Sequence, residues 1–158
     1  NQLRSIFPEA EFQLIRGNVG TRLDKILQDE ADATILAEAG LDRLKISQYK
    51  DLVFTNLEHE IMVPAAGQGA IAVVCREDNA INFKSKLCEI TYEAVSIEKA
   101  CLKVLDGGCQ SPAGIHFDGN YLHIYHPSIS YHKLEIVDGP FSEKLESAIR
   151  LVGEMKIK

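Results

Sequence analysis

No run in this chain approaches the ~20 consecutive apolar residues that a membrane-spanning helix needs, so a spanning segment is excluded. The N-terminus, Asn1-Gln2-Leu3-Arg4, lacks the apolar core of a secretory signal, and it also lacks an initiator methionine. The residues are therefore expected to be a piece of a longer protein, whether cloned, processed or cleaved. The four cysteines, Cys75, Cys88, Cys101 and Cys109, include no C-x-x-C pair, which argues against a zinc site. Four thiols in 158 residues fall far short of a disulfide scaffold, which predicts free thiols in a reducing, cytoplasmic setting. A basic excess is missing too. Seventeen Lys and Arg stand against 23 Asp and Glu, a net charge of −6, with no basic stripe for a nucleic acid. An acidic average leaves room for an anionic small ligand, because a few arginines can converge locally. No internal repeat or low-complexity segment occurs.

What is present is ordinary globular material: 46% hydrophobic and 25% charged residues. A chain of 158 residues makes one ordinary domain or two small ones. Phe12-Gln13-Leu14-Ile15 reads as a short strand ending in the glycine-bearing turn Arg16-Gly17-Asn18-Val19-Gly20-Thr21-Arg22, with Thr21 positioned to cap the following helix. Ala33 to Ala37 reads as a second, buried strand, and Gly40 to Leu44 as a loop entering a helical turn. This alternation predicts an α/β unit with a largely parallel sheet. Proline and two glycines make Met62 to Gly69 a loop or hinge, and Ala70 to Cys75 follows as an apolar strand. A helix is predicted over about 91–105, with Ala94, Ile97, Cys101 and Val104 on one face. Gly107-Gly108 stop it. Ile115-His116-Phe117 and Tyr121 to Tyr125 flank Asp118-Gly119-Asn120, a hairpin signal, and Ser128 to Val137 supplies a third strand. Pro140 leads a last helix with Leu145, Ile149 and Val152 on one face. The second part is thus a small α+β unit.

Cys109 follows two glycines and precedes Gln110-Ser111-Pro112, which places its thiol on an exposed, turning loop. A helix C-terminus disfavours a thiolate, so activation must come from cationic neighbours or a very reactive partner molecule. Cys101 reads as core, and Cys75 and Cys88 as structural, because they sit in or beside apolar runs. Arg16 and Arg22 bracket a helix start whose N–H groups and dipole favour a carboxylate or phosphate. The spacing is neither G-x-G-x-x-G nor a P-loop. Arg43 is a third candidate cation. His116, His123, His126 and His132 are expected at solvent-facing strand positions, and with His59 they show no metal-ligand spacing. Residue chemistry alone leaves two readings open: an anion-binding module of periplasmic-binding type using Arg16 and Arg22, and a thiol redox protein using Cys109 and Cys101.

Four motifs in order join these residues: Arg16-Gly17-Asn18-Val19-Gly20-Thr21-Arg22-Leu23, Ala37-Glu38-Ala39-Gly40-Leu41-Asp42-Arg43-Leu44, Pro64-Ala65-Ala66-Gly67-Gln68-Gly69-Ala70 and Leu105-Asp106-Gly107-Gly108-Cys109-Gln110-Ser111-Pro112. The series closely resembles the porphobilinogen deaminase (hydroxymethylbilane synthase) family over nearly the whole chain. The resemblance implies a cytoplasmic transferase of tetrapyrrole (haem) biosynthesis. Its family condenses four porphobilinogen molecules into hydroxymethylbilane with loss of ammonia, on a dipyrromethane cofactor held by a cysteine thioether. The matching cysteine is Cys109. Arg16, Arg22 and Arg43 match arginines that contact the acetates and propionates of the cofactor and polypyrrole intermediates. Gln68 matches a hinge residue near the cofactor. Deaminated porphobilinogen is a strong carbon electrophile, so a modest thiol suffices.

The resemblance also implies a division of the chain. Residues 1–62 would be an incomplete periplasmic-binding-like second domain, 63–86 a hinge and a strand returning to a missing first domain, and 87–158 the cofactor-bearing α+β third domain. Lys99, Lys103 and Asp106 stand where the family often has Arg, Arg and Glu. The aspartate that moves protons belongs to the missing domain, so no catalytic residue is assigned here and the piece is expected to be inactive alone. Its expected partners are porphobilinogen, that N-terminal domain and, through the apolar run 70–75, a second copy.

Overall fold

A computed structural model describes residues 2–105 and 112–156. Contacts divide the chain into two compact units: Asn1–Pro8 with Leu57–Lys158, and Glu9–Asn56.

The first unit is built on one antiparallel sheet. Strands β1 (Gly114–Phe117), β2 (Tyr121–His126) and β3 (Ser130–Glu135) pair in the order β1-β2-β3. Register follows from the hairpin. Asp118 Oδ1 accepts from the N–H groups of Asn120 (2.9 Å) and Tyr121 (2.7 Å), and Gly119 takes φ +111°, which favours glycine. Phe117 then faces Leu122, and Ile115 faces Ile124. These four residues lie on one face of the sheet and join Ile97 and Cys101 from helix α5 (Glu89–Val104) and Ala148 and Val152 from helix α6 (Phe141–Lys156) in the core. The predicted α5 face is the buried one. Ile97 and Cys101 are fully buried, and Ala94 and Val104 pack against the core.

The other face of the sheet is covered as well, and here the expectation for the histidines changes. His123 is only 3% exposed rather than solvent-facing. The chain from His59 to Pro64 lies across that face. The His59 ring stands 4.5 Å from both His116 and His123, and Ile115 N–H donates to Pro64 O (2.8 Å). A Cβ on Gly114 would sit 2.4 Å from Val63 O, so only glycine admits this approach. Helix α1 (Gln2–Ile6) fixes the same segment, because the Gln2 amide donates to Val63 O and accepts from Val63 N–H, both at 2.7 Å.

The second unit holds helices α2 (Val19–Leu27) and α3 (Glu38–Arg43). The N-cap of α2 is Asn18, not Thr21; Asn18 Oδ1 accepts from Thr21 N–H (2.8 Å) and Thr21 Oγ1–H (2.9 Å). Asn18 is in extended backbone, the conformation an N-cap requires, while Thr21 is already helical.

Three apolar runs expected as strands, 12–15, 33–37 and 70–75, form no ladder, and the only sheet among the described residues is β1-β2-β3. The reason is pairing. A strand exists by its neighbour's backbone hydrogen bonds, and no described residue supplies a backbone ladder to these runs. Most of their side chains stay exposed, Leu14 at 87% and Val74 at 93%, while Ile15, Thr34 and Leu36 are half-buried. Cys75 and Cys88, expected as structural, are exposed for the same reason, since residues 70–92 line no core. Downstream, Glu77–Asn79 forms a 3-10 turn and Ala80–Lys84 a short helix, α4. No described helix is long and apolar enough to cross a membrane.

Candidate functional site

In the unit Glu9–Asn56, the anion-receptive feature is the entry to α2. Gly17 has φ +126°, and a Cβ there would meet Thr21 Cγ2 at 2.7 Å, so glycine is required for the cap to close. Arg22 donates from Nε to Gly17 O (2.9 Å), which fixes its guanidinium beside the turn and leaves its terminal nitrogens without an ion pair among the described residues. Arg16 is exposed and directly precedes the same turn in the chain. A nine-residue helix beginning between them adds N–H groups that have no intrahelical acceptor. Arg43 is exposed in the last turn of α3, and a Cβ on Gly40 of that helix would lie 3.9 Å from Val19 Cγ2, so the two helices meet near the α2 entry. Behind it, Asp24 accepts from Tyr49 Oη (2.9 Å) and Lys50 Nζ (3.3 Å). The tyrosine hydrogen bond, then the lysine, holds the Asp24 carboxyl below its usual range, and the same bond pushes the Tyr49 hydroxyl up. That leaves the arginines as the ionic groups at the entry itself.

In the other unit, Gln68 occupies a turn between Gly67 (φ +77°) and Gly69 (φ +87°), and its Oε1 accepts from Ala65 N–H (3.1 Å). The anchor of this turn is a residue that the motifs do not mark. Glu98, 5% exposed on α5, accepts from Gly67 N–H (2.7 Å) and Phe117 N–H (2.9 Å) and lies 3.3 Å from His116 Nδ1. One buried carboxylate therefore ties the Gln68 turn to a helix and a strand. Its signal in the sequence was position: Ala94, Glu98 and Cys101 follow i, i+4, i+7, which puts a charge on the buried stripe.

Cys109 and its neighbours 106–111 lie outside the described residues. Helix α5 ends at Val104, with Leu105 N–H donating to Cys101 O (3.1 Å), so that segment follows directly from the C-terminus of α5. Cys101 is fully buried, and burial, with Glu98 second, pushes its thiol up to about 12. At neutral pH it stays protonated and core-packed, a poor partner for thiol exchange. Cys88, at the α5 N-cap, has a lowered pKa through hydrogen bonds from the Thr91 side chain and backbone. No group of three His, Cys, Asp or Glu with metal-binding geometry occurs among the described residues.

Comparison with known proteins gives a consistent result. Residues 1–83 match the family model described as "Porphobilinogen deaminase, dipyromethane cofactor binding domain". The chain is 43% identical over 119 residues to the porphobilinogen deaminase of Sphingopyxis alaskensis, covering 73% of this chain and 36% of that protein. It is 44% identical over 118 residues to the Trichlorobacter lovleyi protein of the same name (73% and 37%) and 41% identical over 118 residues to that of Oceanobacillus iheyensis (72% and 38%). The matches thus span a little over a third of the length of these relatives.

Proposed function

The chain belongs to the porphobilinogen deaminase family, and on that basis we propose that its residues form part of a hydroxymethylbilane synthase, condensing porphobilinogen into the linear tetrapyrrole with release of ammonia. The observation that carries this is the family match over 1–83, inside which Arg16, Arg22, Arg43 and Gln68 all fall. Arg16 and Arg22 fit their assigned task. Each pyrrole ring carries two carboxylates, and two guanidiniums flanking a helix N-terminus form a carboxylate grip. Arg43 extends this grip, and Gln68, in the turn anchored by Glu98, is assigned to the hinge beside the cofactor. Cys109 is assigned as the thioether tether of a dipyrromethane, which when bound supplies the pyrrole end to which new units are joined. No catalytic residue is assigned among the 158; these residues are proposed to be inactive alone.

The finer organisation belongs to the same proposal: 1–62 as part of a periplasmic-binding-like α/β domain, 63–86 as hinge and returning strand, 87–158 as the cofactor-bearing domain. Exposure of Ile71 (85%) and Val74 (93%) supports pairing of the 70–75 run with a strand from the rest of the enzyme. In the chain by itself the same run is expected to pair with a second copy, and a clean monomer by light scattering, with the run unpaired, would contradict this. The anion-binding-module reading is the alternative, and it predicts carboxylate binding without turnover.

The test is complementation. The chain mixed with the preceding region of the S. alaskensis relative is expected to form hydroxymethylbilane from porphobilinogen. Arg22→Leu is expected to cut the rate about tenfold to a hundredfold, the loss of a charge-assisted hydrogen bond. Carboxylate binding without product would contradict the enzyme reading.

A further inference from the structure

The ring cluster on the second face of the sheet belongs to none of the motifs and to no part of the proposed reaction. His59 sits in the turn at 59–61, the first turn of its unit after the chain leaves Glu9–Asn56. Its ring is tilted against His116 of β1 and His123 of β2, with centroids 4.5 Å away in each case, and those two rings are 6.3 Å apart. The two strand histidines have carboxylates within reach, His116 Nδ1 at 3.3 Å from Glu98 and His123 Nε2 at 3.2 Å from Asp118. His59 has no hydrogen-bonded carboxylate among the described residues.

We propose that His59, His116 and His123 form a proton-released latch, which holds the 57–62 turn on the sheet while His59 is neutral and frees it when His59 takes up a proton. The charged and titratable groups around it are known from every packed element. The turn contributes Glu60, α5 contributes Glu98, the β1–β2 hairpin contributes Asp118, and β3 contributes Tyr131 and Lys133. Tyr131 Oη lies 2.9 Å from His123 Nδ1 and donates to Glu60 Oε1 at 3.2 Å, which joins the strand cluster to the turn a second time. Burial lowers the His59 pKa first, and the neighbouring His116 and His123 lower it further; Asp118 and Glu60 oppose this only weakly, as the last and smallest contributions.

The sign follows from that depression. A freed His59 titrates near 6.5 and a docked one below it, so the free turn binds more protons between the two values. Docking is complete above ~6.5 and weakens as pH falls through it. The latch does not depend on the enzymatic assignment.

Hydrogen exchange on the full chain tests it. Ile61 and Met62 N–H groups donate to Glu58 O (2.9 and 3.0 Å) and report on the turn. Their protection, corrected for intrinsic exchange, is expected to fall by up to about tenfold per pH unit below ~6.5 while the α5 amides keep theirs. In His59→Phe, which keeps a ring without a titrating proton, the dependence is expected to vanish. Persistence of the dependence in that variant would overturn the latch. If His59→Phe fails to dock the turn at any pH, imidazole NMR titration of the unmodified chain decides. A His59 midpoint below 6.5 that coincides with loss of Ile61 protection supports the latch; titration of His59 with unchanged protection overturns it.

Discussion

The two units reach their folds by different means. In the unit containing β1–β3, two 16-residue helices close on one sheet face, and nine buried residues form one contiguous core. The unit Glu9–Asn56 has a single fully buried large side chain, Leu23, and its helices are nine and six residues long. Helices that short do not persist on propensity alone. They are held instead by local devices: the Asn18 cap, the Gly17 turn closed by Arg22, and the Asp24–Tyr49 bond. The first unit is thus specified by packing and the second by polar bonds, one of which also places Arg22.

The contrast can be broken with five substitutions. Ile124→Ala, in the centre of the sheet, is expected to cost about 2–5 kcal/mol in a denaturant melt, whereas Leu23→Ala should fall at the low end of that range because fewer buried neighbours surround it. Equal losses would erase the distinction. Gly114→Ala is expected to cost about 1–3 kcal/mol by driving a methyl into Val63 O, with loss of amide protection at Val63 and Ile115. Glu98→Gln keeps one acceptor but turns an amide N–H toward a backbone N–H. About 1–3 kcal/mol is expected, with the Gln68 turn more affected than the core when read by hydrogen exchange. Asn18→Ala, a pure cap deletion, is expected to cost about 1 kcal/mol and to raise exchange in α2 while leaving the sheet untouched.

How far the sequence could be read follows the same division. The hairpin at Asp118-Gly119-Asn120, the α5 face and the existence of the helix after Pro140 were legible because each element's partner is close in sequence, but the face of that last helix was misplaced by one residue, since Ala148 is buried beside Val152 while Ile149 is exposed. The runs at 12–15, 33–37 and 70–75 carry strand-like composition, but composition cannot supply a neighbour, and here none is paired. His123 was misjudged because alternation in a strand says which residues share a face, not whether that face is covered. Its cover comes from His59, more than fifty residues earlier. The arginines were found through the α2 turn, whereas Glu98 was hidden as one acidic residue within an amphipathic helix.

The central claim is that Cys109 carries a dipyrromethane in an enzyme of this family. Intact mass spectrometry of the chain, assembled with the preceding region of the S. alaskensis relative and supplied with porphobilinogen, tests it most directly. The account predicts a covalent adduct of two linked pyrroles on this chain that is absent from Cys109→Ser. An unmodified chain in the active mixture, or the same adduct on Cys109→Ser, would contradict it.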